Sequence, residues 1–364
     1  MTGLPDTLAA APESERSAQQ KFVCPACGGE AQWHPGKQAL LCAYCGTESP
    51  YQIEDAGGEI LEHDLVAALK AVPQSARGLQ QARRQVRCQH CQAISFFSAE
   101  QQGRRCDFCG STALLPFDEG LDVIRPQSLL PFKVAEPDAR NRLRQWYGSR
   151  FWAPNALKHR ALTDTLQGVY LPYWTFDAHG AAHYTAEAGT FYRDSQNKQQ
   201  VRWRPVSGQV AHRFDDTLVC GSRGVHPALM RAIEPFPTTS ELQAYDASYL
   251  SGWTVERYAL DLAGAAQQGR ERMLQGLRQL CAQDIAADTH RNLQLDARFD
   301  EQTFKHVLLP VWLVSYQYGA KTFQAVVNGY SGQVAGEYPK SWVKIALAVL
   351  LGLVLLAVFA SLEQ

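Results

Sequence analysis

Eight of the ten cysteines fall into two identical frames, and nothing else in the chain constrains its folding as tightly. Cys24, Cys27, Cys42 and Cys45 read C-x2-C-x14-C-x2-C, and Cys88, Cys91, Cys106 and Cys109 repeat that spacing 64 residues later. Each frame closes alike, Cys42-Ala43-Tyr44-Cys45-Gly46 and Cys106-Asp107-Phe108-Cys109-Gly110, which marks an internal duplication. Two residues between cysteines let a tight knuckle aim both sulfurs at one ion. Two knuckles then supply the four thiolates of a tetrahedral structural site. The intervening residues suffice for a hairpin, with 31–34 against 38–41 across Pro35-Gly36, and 93–97 against Arg104 and its neighbours. Gly28, Gly46 and Gly110 follow knuckles, where a left-handed backbone is expected, and Gln92 stands in the fourth such place. The expectation is two zinc ribbons and two structural zinc ions per chain, each closed to catalytic water. A rubredoxin-like iron centre would use the same ligands, whereas a redox dithiol needs only one pair.

Composition narrows the class. The 364 residues carry 35 Lys+Arg against 36 Asp+Glu, a formal charge of −1. Hydrophobic residues make up 46%, which excludes wholesale disorder, and the charge balance excludes a globally basic coat protein. Ten cysteines are too sparse for a disulfide-stapled secreted domain. Charge is local instead. Glu54, Asp55, Glu59, Glu62 and Asp64 fall in a stretch without Lys or Arg, while Arg83, Arg84, Arg87, Arg104 and Arg105 surround the second ribbon. Those arginines, with Phe96, Phe97, Trp146, Tyr147 and Trp152 interleaved nearby, are candidate contacts for nucleic acid or lipid. They equally offset the charge of a four-thiolate zinc centre.

The expected organisation is a disordered tail (1–20), ribbon 1 (21–50), an acidic linker (51–86), ribbon 2 (87–116), a mixed, mostly antiparallel α+β domain (121–339) and one C-terminal transmembrane helix (342–362). In the α+β domain, strands are expected at 168–176, 183–193, 200–214, 307–318 and 322–327. Helices are expected at 136–147, 156–162, 239–250 and 260–287. Val169-Tyr170-Leu171-Pro172-Tyr173-Trp174 matches Val307-Leu308-Leu309-Pro310-Val311-Trp312. Proline in a strand suggests edges or bulges, and the tryptophans suit core positions. His179 and His183 are four apart, but in a strand or loop they need not share a face as metal ligands would; the Asp215-Asp216 pair reads as solvated, and Cys220 and Cys281 as inert buried thiols. No nucleotide-loop, hydrolase or metalloprotease motif is present, so a non-enzyme is expected.

The run IALAVLLGLVLLAVFA at 345–360 is uncharged and apolar on every side. About 20 such residues cross a bilayer as a helix, with Trp342 and Lys344 at the interface. Lys340 and Lys344 before the run place the bulk of the chain on the cytoplasmic side, a tail-anchored topology in the inner membrane.

Together these residues resemble a bacterial family of TFIIB-type zinc-ribbon-containing membrane proteins. The likeness covers both CxxC pairs of each ribbon, the LPYW and LLPVW segments, Gly252-Trp253, and Val326-Val327-Asn328-Gly329-Tyr330-Ser331-Gly332 leading to Gly336 and Pro339-Lys340-Ser341. The resemblance implies an adaptor that works with phage-shock-protein-A-like or SPFH/flotillin-like partners. Some members carry a primosomal helicase label, but this chain has no helicase motor motif.

Overall fold

Two long strands that meet at the LPxW segments organise the protein. The computed structural model describes residues 22–48, 60, 62–70, 84–97, 105–117, 124–154, 166–318 and 321–362. The expected tail, most of the acidic linker, the helix at 156–162 and the domain boundary near Leu121 lie outside the described residues. In chain order the elements are β1 (Ala31–His34), β2 (Ala39–Cys42), β3 (His63–Asp64), α1 (Leu65–Lys70), β4 (Arg84–Cys88), β5 (Ile94–Phe97), β6 (Leu114–Pro116), β7 (Ser128–Leu129) and α2 (Glu136–Gly148). There follow β8 (Gln167–Arg193), β9 (Gln199–Cys220), α3 (Pro227–Ile233), β10 (Gln243–Ala244), a 3-10 turn (Ala247–Leu250), β11 (Thr254–Arg257) and α4 (Leu262–Asp284). The last are β12 (Thr289–Tyr318), β13 (Lys321–Asn328), β14 (Val334–Gly336) and α5 (Trp342–Leu362).

β1 and β2 form a sheet of their own. The others join one 12-stranded sheet in the order β10-β7-β12-β8-β11-β5-β4-β6, with β9 on β8, β3 and β13 on β12, and β14 on β13. Pairing is antiparallel except at β7–β12 and β8–β11. The architecture is therefore mixed α+β around a large sheet, with the second ribbon's strands spliced into it.

At the centre, Leu171 faces Leu309, Tyr170 faces Pro310 and Pro172 faces Leu308, so the two LPxW copies pair about a local two-fold. The prolines are not on edges, as the sequence suggested. Each stands where a third strand ends its ladder: Tyr173 pairs with Cys220 of β9, and Val311 with Asn328 of β13. The Pro172 carbonyl accepts from Gly221 N–H (2.8 Å) and the Pro310 carbonyl from Gly329 N–H (2.9 Å). The missing proline N–H thus falls at a ladder's end, where no strand partner is lost. Trp174 and Trp312 are core residues, donating from Nε1 to the Leu260 and Val134 carbonyls.

Beyond this centre β8, β9 and β12 continue as a long arm covered by α4. Asp261 caps α4 by accepting from Gly264 N–H (2.9 Å). Its buried Met273, Leu277 and Cys281 pack on Ala178, Ala182, Tyr184, Ala186 and Ala188 of β8, whose alternation puts small residues beneath the helix. The helix expected at 239–250 is replaced by β10 and the 3-10 turn. Asp246 accepts from Ser248 N–H (2.7 Å) and starts a new turn, while Gln243 and Ala244 pair with β7.

The expected membrane anchor requires correction. Among the described residues no helix is long and apolar enough to cross a membrane. Lys344 does not reach for headgroups: its Nζ donates to the carbonyls of Phe151 (2.9 Å) and Ala153 (2.8 Å). Trp342 is exposed at the start of the helix. The transmembrane helix, the membrane as partner and the single-pass inner-membrane placement are accordingly withdrawn.

Glu256 of β11 is 1% exposed, between β8 and β5. Burial pushes its carboxyl up to about 8, against the opposing pull of the Ser222 hydroxyl and the Gly224 and Arg223 N–H groups. The folded chain therefore keeps a proton that the unfolded chain releases near pH ~4.3, and stability falls as pH rises from there to about 8. Glu256→Gln should match the parent near pH 4.5 and exceed it by about 1–3 kcal/mol at pH 8. Urea melts across that range check this, and a difference that does not vary with pH would refute it.

Candidate metal centres

All four cysteine knuckles have the same backbone. In each, the N–H four residues after the first cysteine donates back to that cysteine's carbonyl: Gly28 to Cys24 (2.8 Å), Gly46 to Cys42 (3.0 Å), Gln92 to Cys88 (2.9 Å) and Gly110 to Cys106 (2.8 Å). The cysteine N–H in turn donates to the fifth residue, at Gly29, Thr47, Ala93 and Ser111. This loop needs a left-handed residue, with φ of 73°, 71° and 71° at Gly28, Gly46 and Gly110. Gln92 takes the same conformation at φ 63° despite its Cβ, and its amide donates to the Gln89 carbonyl (2.8 Å).

The knuckles face each other in pairs. Sulfur separations are 3.5 Å for Cys24–Cys45 and for Cys27–Cys42, and 3.5 Å for Cys88–Cys109 with 3.6 Å for Cys91–Cys106. Within each set all four sulfurs lie within 4.8 Å of one another. A disulfide needs about 2.05 Å, and every one of these cysteines is free. Sulfurs on tetrahedral corners, each ~2.3 Å from one ion, stand about 3.8 Å apart. The residues therefore fit a metal ion, and both sets could hold one. In the first set local dipoles favour the thiolate at Cys42 and Cys45, while the neighbouring sulfurs of Cys45 and Cys42 push the Cys27 thiol up to about 12. The Thr47 hydroxyl (3.0 Å) and N–H hold the Cys45 thiol down to about 6, and the N–H groups of Cys45 and Tyr44 hold Cys42 below its ordinary value.

The two sets are mounted differently. Ribbon 1 docks by the face of its hairpin. The Trp33 ring packs on Tyr249 (4.6 Å), Trp33 N–H donates to Ser251 O (3.2 Å), Ser251 Oγ to Ala31 O (2.7 Å), and Gln38 Nε2 to Phe132 O (2.7 Å). Gly252 turns there at φ 84°, with the Gln32 side chain lying where a Cβ would project. Cys27 and Cys45 remain exposed. Ribbon 2 instead pairs β5 with β11 and drives its knuckle into the body. Phe108 is fully buried, its carbonyl accepts from Gln324 Nε2 (2.8 Å) and Ser315 Oγ, and Asp107 accepts from Thr254 Oγ1 (2.9 Å).

Of the candidate basic surface, only the Arg87 and Arg105 side chains are among the described residues. Arg83, Arg104 and the Arg84 side chain lie outside them. Arg87 stacks over Phe117 at 3.9 Å, and Arg105 is exposed. Tyr147 is core rather than a stacking platform.

Sequence reasoning missed a buried ion cluster. Asp216, read as solvated, is 8% exposed. The Lys305 ammonium pairs with Asp216 and Glu62 at 3.0 Å each. Burial pushes the Asp177 carboxyl beside them up to about 6. Asp177, Asp215 and Asp216 approach one another as metal ligands would, but the cluster already has Lys305 as its cation. No local pattern could reveal it, because Glu62 and Lys305 are brought together only by β3 pairing with β12. Burial pushes the Cys220 thiol up to about 12 and also raises Cys281, which keeps both protonated.

No family model matches the chain, and no solved structure matches it. An uncharacterised Bacillus subtilis protein, YdjG, is 22% identical over 228 residues, 61% of this chain and 66% of that protein. The match thus spans just under two thirds of the relative's own length.

At Gly110 nothing lies within 4 Å of where a Cβ would stand, so substitution meets only backbone strain. Gly110→Ala should cost about 1–2 kcal/mol in thermal or urea melts, with the metal still bound. A neutral variant would show that the left-handed knuckle is not required.

Proposed function

We propose that the chain is a non-enzymatic scaffold that holds two structural zinc ions and recruits a protein partner. The closed four-sulfur geometry supports this reading above all. Each set offers an ion four thiolates and no open position, the arrangement of a structural site rather than a hydrolytic one. Zinc suits it because its filled d shell adapts to the tetrahedron that the knuckles impose. In ribbon 1 the strands are four residues each, too little core to fold without an ion. The family resemblance is what points to an SPFH-type or membrane-stress assembly as the setting. A nucleic-acid reading has less support, since Arg87 is committed to Phe117.

Metal analysis of the purified chain should give two zinc per chain. An excess of chelator should remove them in two phases, the faster from the set with exposed Cys27 and Cys45. Cys27→Ser should retain one slowly released zinc. Iron in place of zinc, or fewer than two ions in the parent chain, would overturn the zinc assignment. In-cell crosslinking that yields nucleic acid and no protein partner would overturn the scaffold reading.

A further inference from the structure

The duplication places Tyr44 of ribbon 1 where ribbon 2 has Phe108, the third residue of the closing knuckle in both. The two knuckles share their backbone hydrogen bonds and their left-handed glycine. Their surroundings are opposite. Phe108 is 0% exposed, whereas Tyr44 is 81% exposed.

The buried copy shows what this knuckle does when it is docked. The Phe108 ring fills a notch floored by Gly224, where a Cβ would fall 2.5 Å from the ring. The knuckle carbonyl is then met by side-chain donors from Gln324 and Ser315. Small floor, aromatic plug and donors at the rim make one docking mode within the chain.

In ribbon 1 the same plug is presented exposed, with no described residue burying it. Its ring lies on Gly29, where a Cβ would come within 2.6 Å of Tyr44 Cδ2. An aromatic ring loses little freedom on binding, and tyrosine tolerates both water and burial. The exposed sulfurs of Cys27 and Cys45 flank it. Four thiolates around a divalent ion carry a net charge of −2, so the complementary surface brings hydrogen-bond donors or cations. A single exposed aromatic would mean little. Here its own repeat copy supplies the bound form.

We propose that the Tyr44 knuckle is the docking point for the protein partner, which receives the ring in a notch floored by glycine and rimmed by amide, hydroxyl or basic donors. This rests on the scaffold reading. It places the contact on ribbon 1 and on the side away from the hairpin face that packs on Tyr249.

The test inserts a photo-reactive phenylalanine analogue at position 44 of the full-length chain in cells. The same analogue at Phe191, exposed at the far end of β8, is the reference position. The expected result is one protein crosslinked from position 44, with the reacted residues mapping to a notch of the stated chemistry. With that protein purified, Tyr44→Ala should weaken binding at least tenfold and Tyr44→Phe no more than threefold, by calorimetry. Both variants should keep the parent's metal content, which separates lost contact from lost folding. A partner crosslinked from position 191 but not from 44 overturns the knuckle assignment and leaves the scaffold reading in place. Crosslinks only to a second copy of this chain, or only to nucleic acid, also overturn it. No specific crosslink from either position overturns both.

Discussion

The antiparallel ladder between β8 and β12 is the constraint on which the rest depends. It runs from Thr289↔Gly189 to Leu313↔Gln167, and the other strands of the large sheet extend outward from these two on either side. Its register is pinned where side chains alternate most strictly. Leu171, Tyr173, Leu309 and Val311 face one core, while Tyr170, Leu308 and Trp312 face another. A slip of one residue would exchange the two sets and bury the wrong face of both strands. The local two-fold between the LPxW copies makes that register self-consistent, since each copy is the other's partner.

Metal chemistry enters this frame in two ways. The second four-sulfur set lies in an extension of the sheet, since β4, β5 and β6 follow β11 in the strand order. Folding of that set and folding of the body are therefore one event. The first set belongs to a separate two-stranded sheet, whose Ala31, Trp33 and Leu40 join the body's core and whose Gln38 and Ala31 are hydrogen-bonded to it. It can open as a local unit while the large sheet stays intact.

What the sequence revealed follows the range of the interactions. The cysteine spacing and the glycines after the knuckles are local, and both appear in the structure as expected, including the left-handed turn that Gln92 adopts without glycine. The helix α4 was legible from its apolar period. Long-range pairing was not. The sequence suggested edge strands or bulges at Pro172 and Pro310 because a proline's missing donor was judged within one strand, while the outcome depended on where β9 and β13 end. The run at 239–250 looked helical by composition, yet pairing with β7 and the Asp246 turn decided otherwise. The Glu62–Lys305–Asp216 cluster has no sequence signature, because its members meet only through tertiary pairing. The apolar terminal run was read as a complete crossing from composition alone. Among the described residues no helix is long and apolar enough to cross a membrane, and Lys344 is tied to the body.

The outer border of the long arm has a consequence for behaviour at high concentration. Among the described residues β9 pairs only with β8, so its other side offers backbone groups to any extended segment that comes near. Pro205 interrupts that offer with a residue that has no N–H, and exposed Arg202 and Arg204 stand beside it. A second copy approaching in antiparallel fashion would bring its own arginines against these. The sheet can therefore grow to twelve strands within one chain and still resist growing further between chains.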